Sequence, residues 1–330
     1  MPMTGTGAGR RRSLPVIIGA CGCAALLVLV VALGIGYLAW EDRSADQPAA
    51  SGSPSSSASA SSAPAPETES ARPFVVLTAR DGDELTPEEN LEVLTTSPLT
   101  GGHLPEIAEC PLPAITAAPT AAELQAFLDA GTACYAGLWA QAMSDRNLPW
   151  STPRVEVFAW PQIPPGSACE APLFEQTSPL MCHLDGVLYW PLGAGHLSAL
   201  AAEPDLPAAY LADLSRALMD TVGWQSSISF YALHYLEAYT EDDPARLDAA
   251  RRYGLQRQCL ATTAMLQLPE ELHPSDDLWA ILLDEGTWPP EPPASIPAAA
   301  VVHWVLVARS TDGALSPCNS WTAYSTDINS

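Results

Sequence analysis

Apolar positions along this chain fall into three regimes. Residues 16–38 form one unbroken, uncharged apolar run. Residues 44–72 are almost wholly Ser, Ala, Pro, Gly and acid, with no aromatic or large aliphatic side chain. From residue 74 onward, apolar side chains recur at helical or strand spacing. The first run, as a helix rising about 1.5 Å per residue, reaches roughly 34 Å, enough to cross a ~30 Å hydrocarbon core. The second regime holds too little apolar surface to offset its ordering entropy and reads as a tether. The division is therefore a cytoplasmic tail over 1–13, a transmembrane helix over 14–40, a disordered linker over 41–73 and an extracytoplasmic domain over 74–330.

Within the domain, Thr120 and Glu123 form a capping box that opens a helix to about Ser144, with Leu124, Phe127, Leu128, Cys134 and Leu138 on its apolar face. Residues 154–160 alternate like a half-buried strand, with Val155, Val157 and Ala159 on one side. Residues 186–192 read as a second strand. Asp205 with Pro207 starts a helix whose apolar positions are Leu211, Leu214, Leu218 and Val222. Further helices are expected over 226–239, 244–268, 276–283 and 297–309. The acid pairs Glu88–Glu89, Asp242–Asp243 and Asp276–Asp277 stand near helix starts, where they complement the dipole. Long helices with a few short strands give an α+β class.

Charge sets the orientation. Arg10, Arg11 and Arg12 precede the apolar run and hold the N-terminus in the cytoplasm, with Tyr37 and Trp40 at the far interface. After Trp40 the chain carries 11 of its 14 basic residues against all 38 acids, a formal −27. So acidic a surface argues against nucleic-acid partners. A cleaved signal peptide would have a shorter apolar core and a small-residue cleavage site. A lipoprotein reading, on Cys21 after Ile18-Gly19-Ala20, leaves too short an apolar stretch before the cysteine. The reading is a single-pass cell-membrane protein. Cys21 and Cys23 are small apolar residues of the span. The other six, Cys110, Cys134, Cys169, Cys182, Cys259 and Cys318, face an oxidising compartment and predict disulfides. Six cysteines allow 15 pairings; only Cys169–Cys182, close in sequence across a Pro-rich turn, is singled out. No CxxC spacing in the domain supports a zinc-cysteine cluster.

Several segments, taken in order, resemble the neutral zinc metallopeptidases of bacteria, in particular their membrane-anchored actinobacterial branch. They are Ser97-Pro98-Leu99 through Cys110 to Pro113; Cys134 with Trp139; Cys169 followed by Met181-Cys182-His183-Leu184-Asp185 and Val187-Leu188-Tyr189; Leu255-Gln256 with Cys259; and Trp304 followed by Cys318-Asn319-Ser320-Trp321-Thr322-Ala323. The resemblance implies a zincin-like fold: mostly helical, with a small sheet. It also implies His-Glu-x-x-His on the 205–223 helix, because residues at i and i+4 share a face and can grip one zinc. That helix has no histidine. One alignment register places Ala212 and Arg216 at the ligand positions and Asp213 at the base. The other places Leu214 and Leu218 at the ligands and Ser215 at the base. The third ligand is also lost, with Gly254 and Gln258 standing where the family has acids.

The resemblance with its ligands lost implies a protein without zinc that binds rather than cleaves, with a peptide or an envelope protein as partner. Two alternatives remain: a metallohydrolase whose ligands have moved to His183, Asp185, His196, His234 or Glu237, and a structural envelope protein with no cleft. No Gly-x-Ser-x-Gly elbow or phosphate-binding loop offers another chemistry.

Overall fold

The computed structural model describes residues 85–290 and 295–329. The tail, the apolar run and the linker lie outside the described residues. Among the described residues, no helix is long and apolar enough to cross a membrane.

Helix α1, Pro87–Thr95, opens on a capping box in which Thr86 and Glu89 bond each other's backbone N–H. Its first turn carries the expected Glu88–Glu89 pair. Helix α2, Ala121–Ser144, repeats the device with Thr120 and Glu123, and all five predicted apolar positions are buried. The bonds from Thr120 hold the Glu123 carboxyl below its usual pKa.

Three strands follow: β1 Arg154–Phe158, β2 Leu180–Cys182 and β3 Val187–Pro191, in the order β1-β3-β2. β1 pairs parallel with β3, and β2 pairs antiparallel with it. The predicted alternation over 154–160 is corrected at its far end. The strand stops at Phe158, which is buried in a different cluster from Val155 because the sheet is covered on both faces, and Ala159 lies beyond the strand and is exposed. Gln125 of α2 caps the free edge of β1, donating to the Val155 carbonyl (3.0 Å) and accepting from the Val157 N–H (2.8 Å). On one face Val155, Met181, Leu188 and Trp190 join the main core. On the other, Phe158, Phe174, Cys182, Val187 and Tyr189 form a small second core. All five residues of β3 are buried.

The remaining helices are α3 Leu206–Gln225, α4 Ile228–Glu237, α5 Pro244–Met265, α6 Asp276–Leu282, α7 Ala298–Arg309 and the short α8 Thr326–Asn329. Helix α5 packs against α3, α4 and α7. Helix α3 crosses α2 closely at Gly131, where a Cβ would stand 2.9 Å from a Leu214 methyl. There the buried Tyr135 hydroxyl donates to the Leu211 carbonyl at 3.0 Å. Asp205 begins α3 as expected but does not cap it; its carboxylate accepts the Ser275 hydroxyl (2.8 Å) at the start of α6. The molecule is thus α+β, mostly helical with a small sheet. Disulfides join Cys110–Cys134, Cys169–Cys182 and Cys259–Cys318. The second is the expected bridge, and the other two resolve the open pairings.

Candidate functional site

Helix α3 is two-sided. Leu211, Leu214, Leu218 and Val222 are buried in the core. Asp213, Arg216 and Asp220, three and four residues apart, make a polar stripe, the spacing that shares a helix face. Gly254, Arg257 and Gln258 of α5 stand opposite that stripe, and the two sets line one cleft of about 730 Å³. Its further walls come from Thr177–Pro179 before β2, from the 195–200 loop, and from Thr287–Pro289 with Ile296 and Val301.

Asp213 shapes the wall rather than facing it as a bare charge. It is only 7% exposed. Its carboxylate accepts the Leu197 N–H (3.0 and 3.1 Å), the Ser198 N–H (3.0 Å) and the Ser198 hydroxyl (3.0 Å). Gly195 makes this fit possible. Its φ is +145°, and a Cβ there would lie 2.1 Å from Ser198 Oγ and 3.0 Å from Asp213 Oδ2. The stapled loop carries His196, whose Nε2–H donates to the Thr287 carbonyl at 2.7 Å and whose ring lies against Trp288.

The other charges sit on the helices. The Arg216 guanidinium lies over the Trp288 ring, 4.8 Å from its centroid. Arg257 pairs with Asp220 at 2.7 Å and covers the Tyr253 ring. Burial raises the Tyr253 pKa, and its hydroxyl meets Ser229 Oγ at 2.6 Å. Gln258 is 8% exposed and donates from Nε2 to Thr262 Oγ1 (3.2 Å); its Oε1 takes no hydrogen bond from any described residue. A Cβ on Gly254 would stand 2.5 Å from the Ile296 δ-methyl, so Ile296 occupies the place of a side chain at 254.

The two registers of the missing motif separate cleanly. Leu214 and Leu218 point into the core, and the Ser215 hydroxyl donates to the Ala261 carbonyl (2.8 Å). Asp213 and Arg216 line the cleft together with Gly254 and Gln258. Ala212 lines a small recess behind it, with Arg216 and Gln258. These residues do not fit zinc. The one carboxylate already satisfies three donors, a guanidinium stands three residues on, and Gly254 supplies no ligand atom.

The other candidates do not converge either. Among the described residues, no three His, Cys, Asp or Glu side chains stand close enough to hold a metal ion. His183 and Asp185 stand two apart, the spacing of one strand face, but they occupy the turn between β2 and β3, because β2 ends at Cys182. Asp185 accepts the Ala168 N–H (2.9 Å), the Val187 N–H (3.0 Å) and the Tyr189 hydroxyl (2.9 Å). Burial pulls its pKa up, but those bonds and the charge of Arg154 outweigh it and hold the carboxyl below its ordinary value. The His183 ring packs on Trp224; burial lowers its pKa, Asp220 opposes that and Arg257 adds to it. His234 and Glu237 approach to 3.4 Å as an exposed pair on α4.

Sequence reasoning missed Asp220, Arg257, Trp288 and Gly195. The first two were readable as a polar stripe on each of two otherwise apolar helices. Trp288 and Gly195 come from distant loops and carry no local signal. Compared with known proteins, the chain matches no family model, no curated protein and no solved structure.

Proposed function

We propose that this chain is a membrane-anchored, non-catalytic relative of the neutral zinc metallopeptidases, and that its extracytoplasmic domain binds a peptide in the cleft between α3 and α5. The observation that carries the reading is positional. Asp213 and Arg216, which one register of the lost motif puts at the base and at one ligand position, line the cleft together with Gly254 and Gln258, where the third ligand is lost. Ala212, the register's other ligand position, lies in the small recess behind it. At about 730 Å³ the cleft falls within the ~300–1,000 Å³ range of ligand sites.

Two further features support a peptide. β2 is an edge strand, and the Thr177–Pro179 segment leading into it lies on the cleft wall. An extended chain can add to such an edge by main-chain hydrogen bonds. The lining also carries apolar side chains, with the exposed Leu200 and the half-buried Ala217 and Ile296 as surfaces for a ligand's side chains. A zincin-like arrangement is supported by α3 packing beneath β2 and against the later helix α5. The span over 16–38 and the Arg10–Arg12 cluster support a single-pass anchor that places the domain outside the cell membrane.

The test is retention without cleavage. The full chain in detergent, immobilised and exposed to a pool of N-acetylated randomised peptides, is expected to retain a subset intact. New amino termini released in proportion to the chain would overturn the non-catalytic reading. Absence of any retained peptide would overturn the binding role.

A further inference from the structure

We propose that the Cys169–Cys182 bridge is a thiol–disulfide exchange site for a dithiol reductant, and that opening it releases one wall of the cleft. The effect on ligand rests on the peptide-binding reading above; the exchange site does not.

Access singles out this bridge. Of the six bridged cysteines, Cys110, Cys134, Cys182, Cys259 and Cys318 are buried, and Cys169 alone is half-buried. An exchanging thiolate has to reach a sulfur, so exposure decides which bridge it attacks. Cys259 and Cys318 are fully buried among packed helices. Cys169 stands instead in an irregular stretch, between the exposed Ala168 and Glu170.

The second observation is what the bridge holds. The cleft-lining residues Thr177, Ser178 and Pro179 lie inside the loop that it closes. From 170 to 180, Phe174 is the one buried side chain, packed on the rings of Phe158 and Tyr189. Residues 175–178 are exposed, and no hydrogen bond among the described residues ties 175–179 to the rest of the fold. The wall therefore hangs between Phe174 and the three-residue edge strand β2. Both anchors reach into the small second core, which has five buried residues and also holds the bridge. So small a cluster buries little apolar surface, and the covalent link does much of the closing.

The opening is reversible by design of the same turn. Asp185, just after β2, accepts the Ala168 N–H at 2.9 Å and the Val187 N–H at 3.0 Å. Those bonds do not involve sulfur, so the separated thiols stay near each other and can rejoin. In the forward direction a thiolate of the dithiol attacks Cys169 Sγ. The Cys182 sulfur leaves with the electron pair of the broken bond and takes a proton. The second thiolate of the reductant then attacks the reductant's own sulfur in the mixed disulfide and displaces Cys169, which is protonated in turn. The chain gains two electrons and two protons, and the dithiol becomes a disulfide.

The test titrates the full chain in detergent with dithiothreitol, alkylates the freed thiols and maps them by mass spectrometry. Cys169 and Cys182 are expected to be labelled at about tenfold lower reductant than the cysteines of the other two bridges, with unchanged helical circular dichroism. At that point retention of a pool of N-acetylated randomised peptides should fall about tenfold, the scale of adding a segment's ordering to the cost of binding. Oxidised glutathione should restore it. Cys169→Ser/Cys182→Ser should show the lowered retention without reductant and no further response to it; the reduction of the unaltered chain carries the test if that variant does not fold. Another bridge opening first, or loss of helix as Cys169 is labelled, would overturn the exchange site. Opening in the expected order with unchanged retention would overturn the coupling to the wall and leave the peptide cleft standing. No retention by the unreduced chain would overturn the peptide-binding reading and the coupling together, while the order of labelling still decides the exchange site.

Discussion

Replacing Cys259 and Cys318 by alanine together is expected to lower the stability of the domain by about 4 kcal/mol, the largest loss among its three bridges. Both sulfurs are fully buried, and the bridge closes a sequence separation of 59 residues. Cutting it frees the unfolded chain more than cutting the 24-residue span of Cys110–Cys134 or the 13-residue span of Cys169–Cys182, by a margin that grows only with the logarithm of the span. The same chain-entropy argument gives those two about 3.5 and about 3 kcal/mol. Thermal unfolding of the full chain, followed by circular dichroism, should show a drop of roughly 8–16 °C for the first pair and smaller drops, in that order, for the others. An unshifted midpoint for Cys259→Ala/Cys318→Ala would contradict the bridge. The loss also reaches the site, because Cys259 follows Gln258 on the helix that forms one wall of the cleft.

Asp213→Asn should cost about 3 kcal/mol even though it barely changes volume. The carboxylate receives two backbone N–H groups and one hydroxyl with both oxygens. An amide offers one acceptor oxygen and turns an NH₂ toward donors that remain buried, so those groups lose partners rather than exchanging them. Ser198→Ala removes only the hydroxyl and should cost about 1 kcal/mol. The same pair of variants separates shape from charge in the site. If the staple holds the 195–200 wall, Asp213→Asn weakens peptide retention together with stability, whereas Ser198→Ala changes both slightly. A midpoint for Asp213→Asn equal to that of the unaltered chain would show that the carboxylate is not satisfying those donors.

What the sequence made legible follows from how local each signal is. The Thr120–Glu123 box and the apolar stripe behind it specify α2 without help from the rest of the chain. The helices over 226–239, 244–268, 276–283 and 297–309 were predictable within a few residues for the same reason. β2 is three residues long and leaves no period to read, and Gly186, with φ +71°, turns the chain just after Asp185. The bridges Cys110–Cys134 and Cys259–Cys318 depend on helix packing, which no spacing reveals. The choice between the two motif registers was of the same kind. Both lie on one helix, and only the partner elements decide that Leu214 and Leu218 meet the core while Asp213 and Arg216 meet the cleft.

The proposal that Arg216 stands where the metallopeptidases hold zinc is tested by the metal content of the chain. The full chain, exchanged against zinc and freed of excess ion, would be measured by elemental mass spectrometry alongside Arg216→His. Far less than one zinc per chain is expected in both, because a single imidazole at 216 has no partner ligand at Ala212 or Gly254. A stoichiometric, chelator-sensitive zinc in the unaltered chain would contradict it.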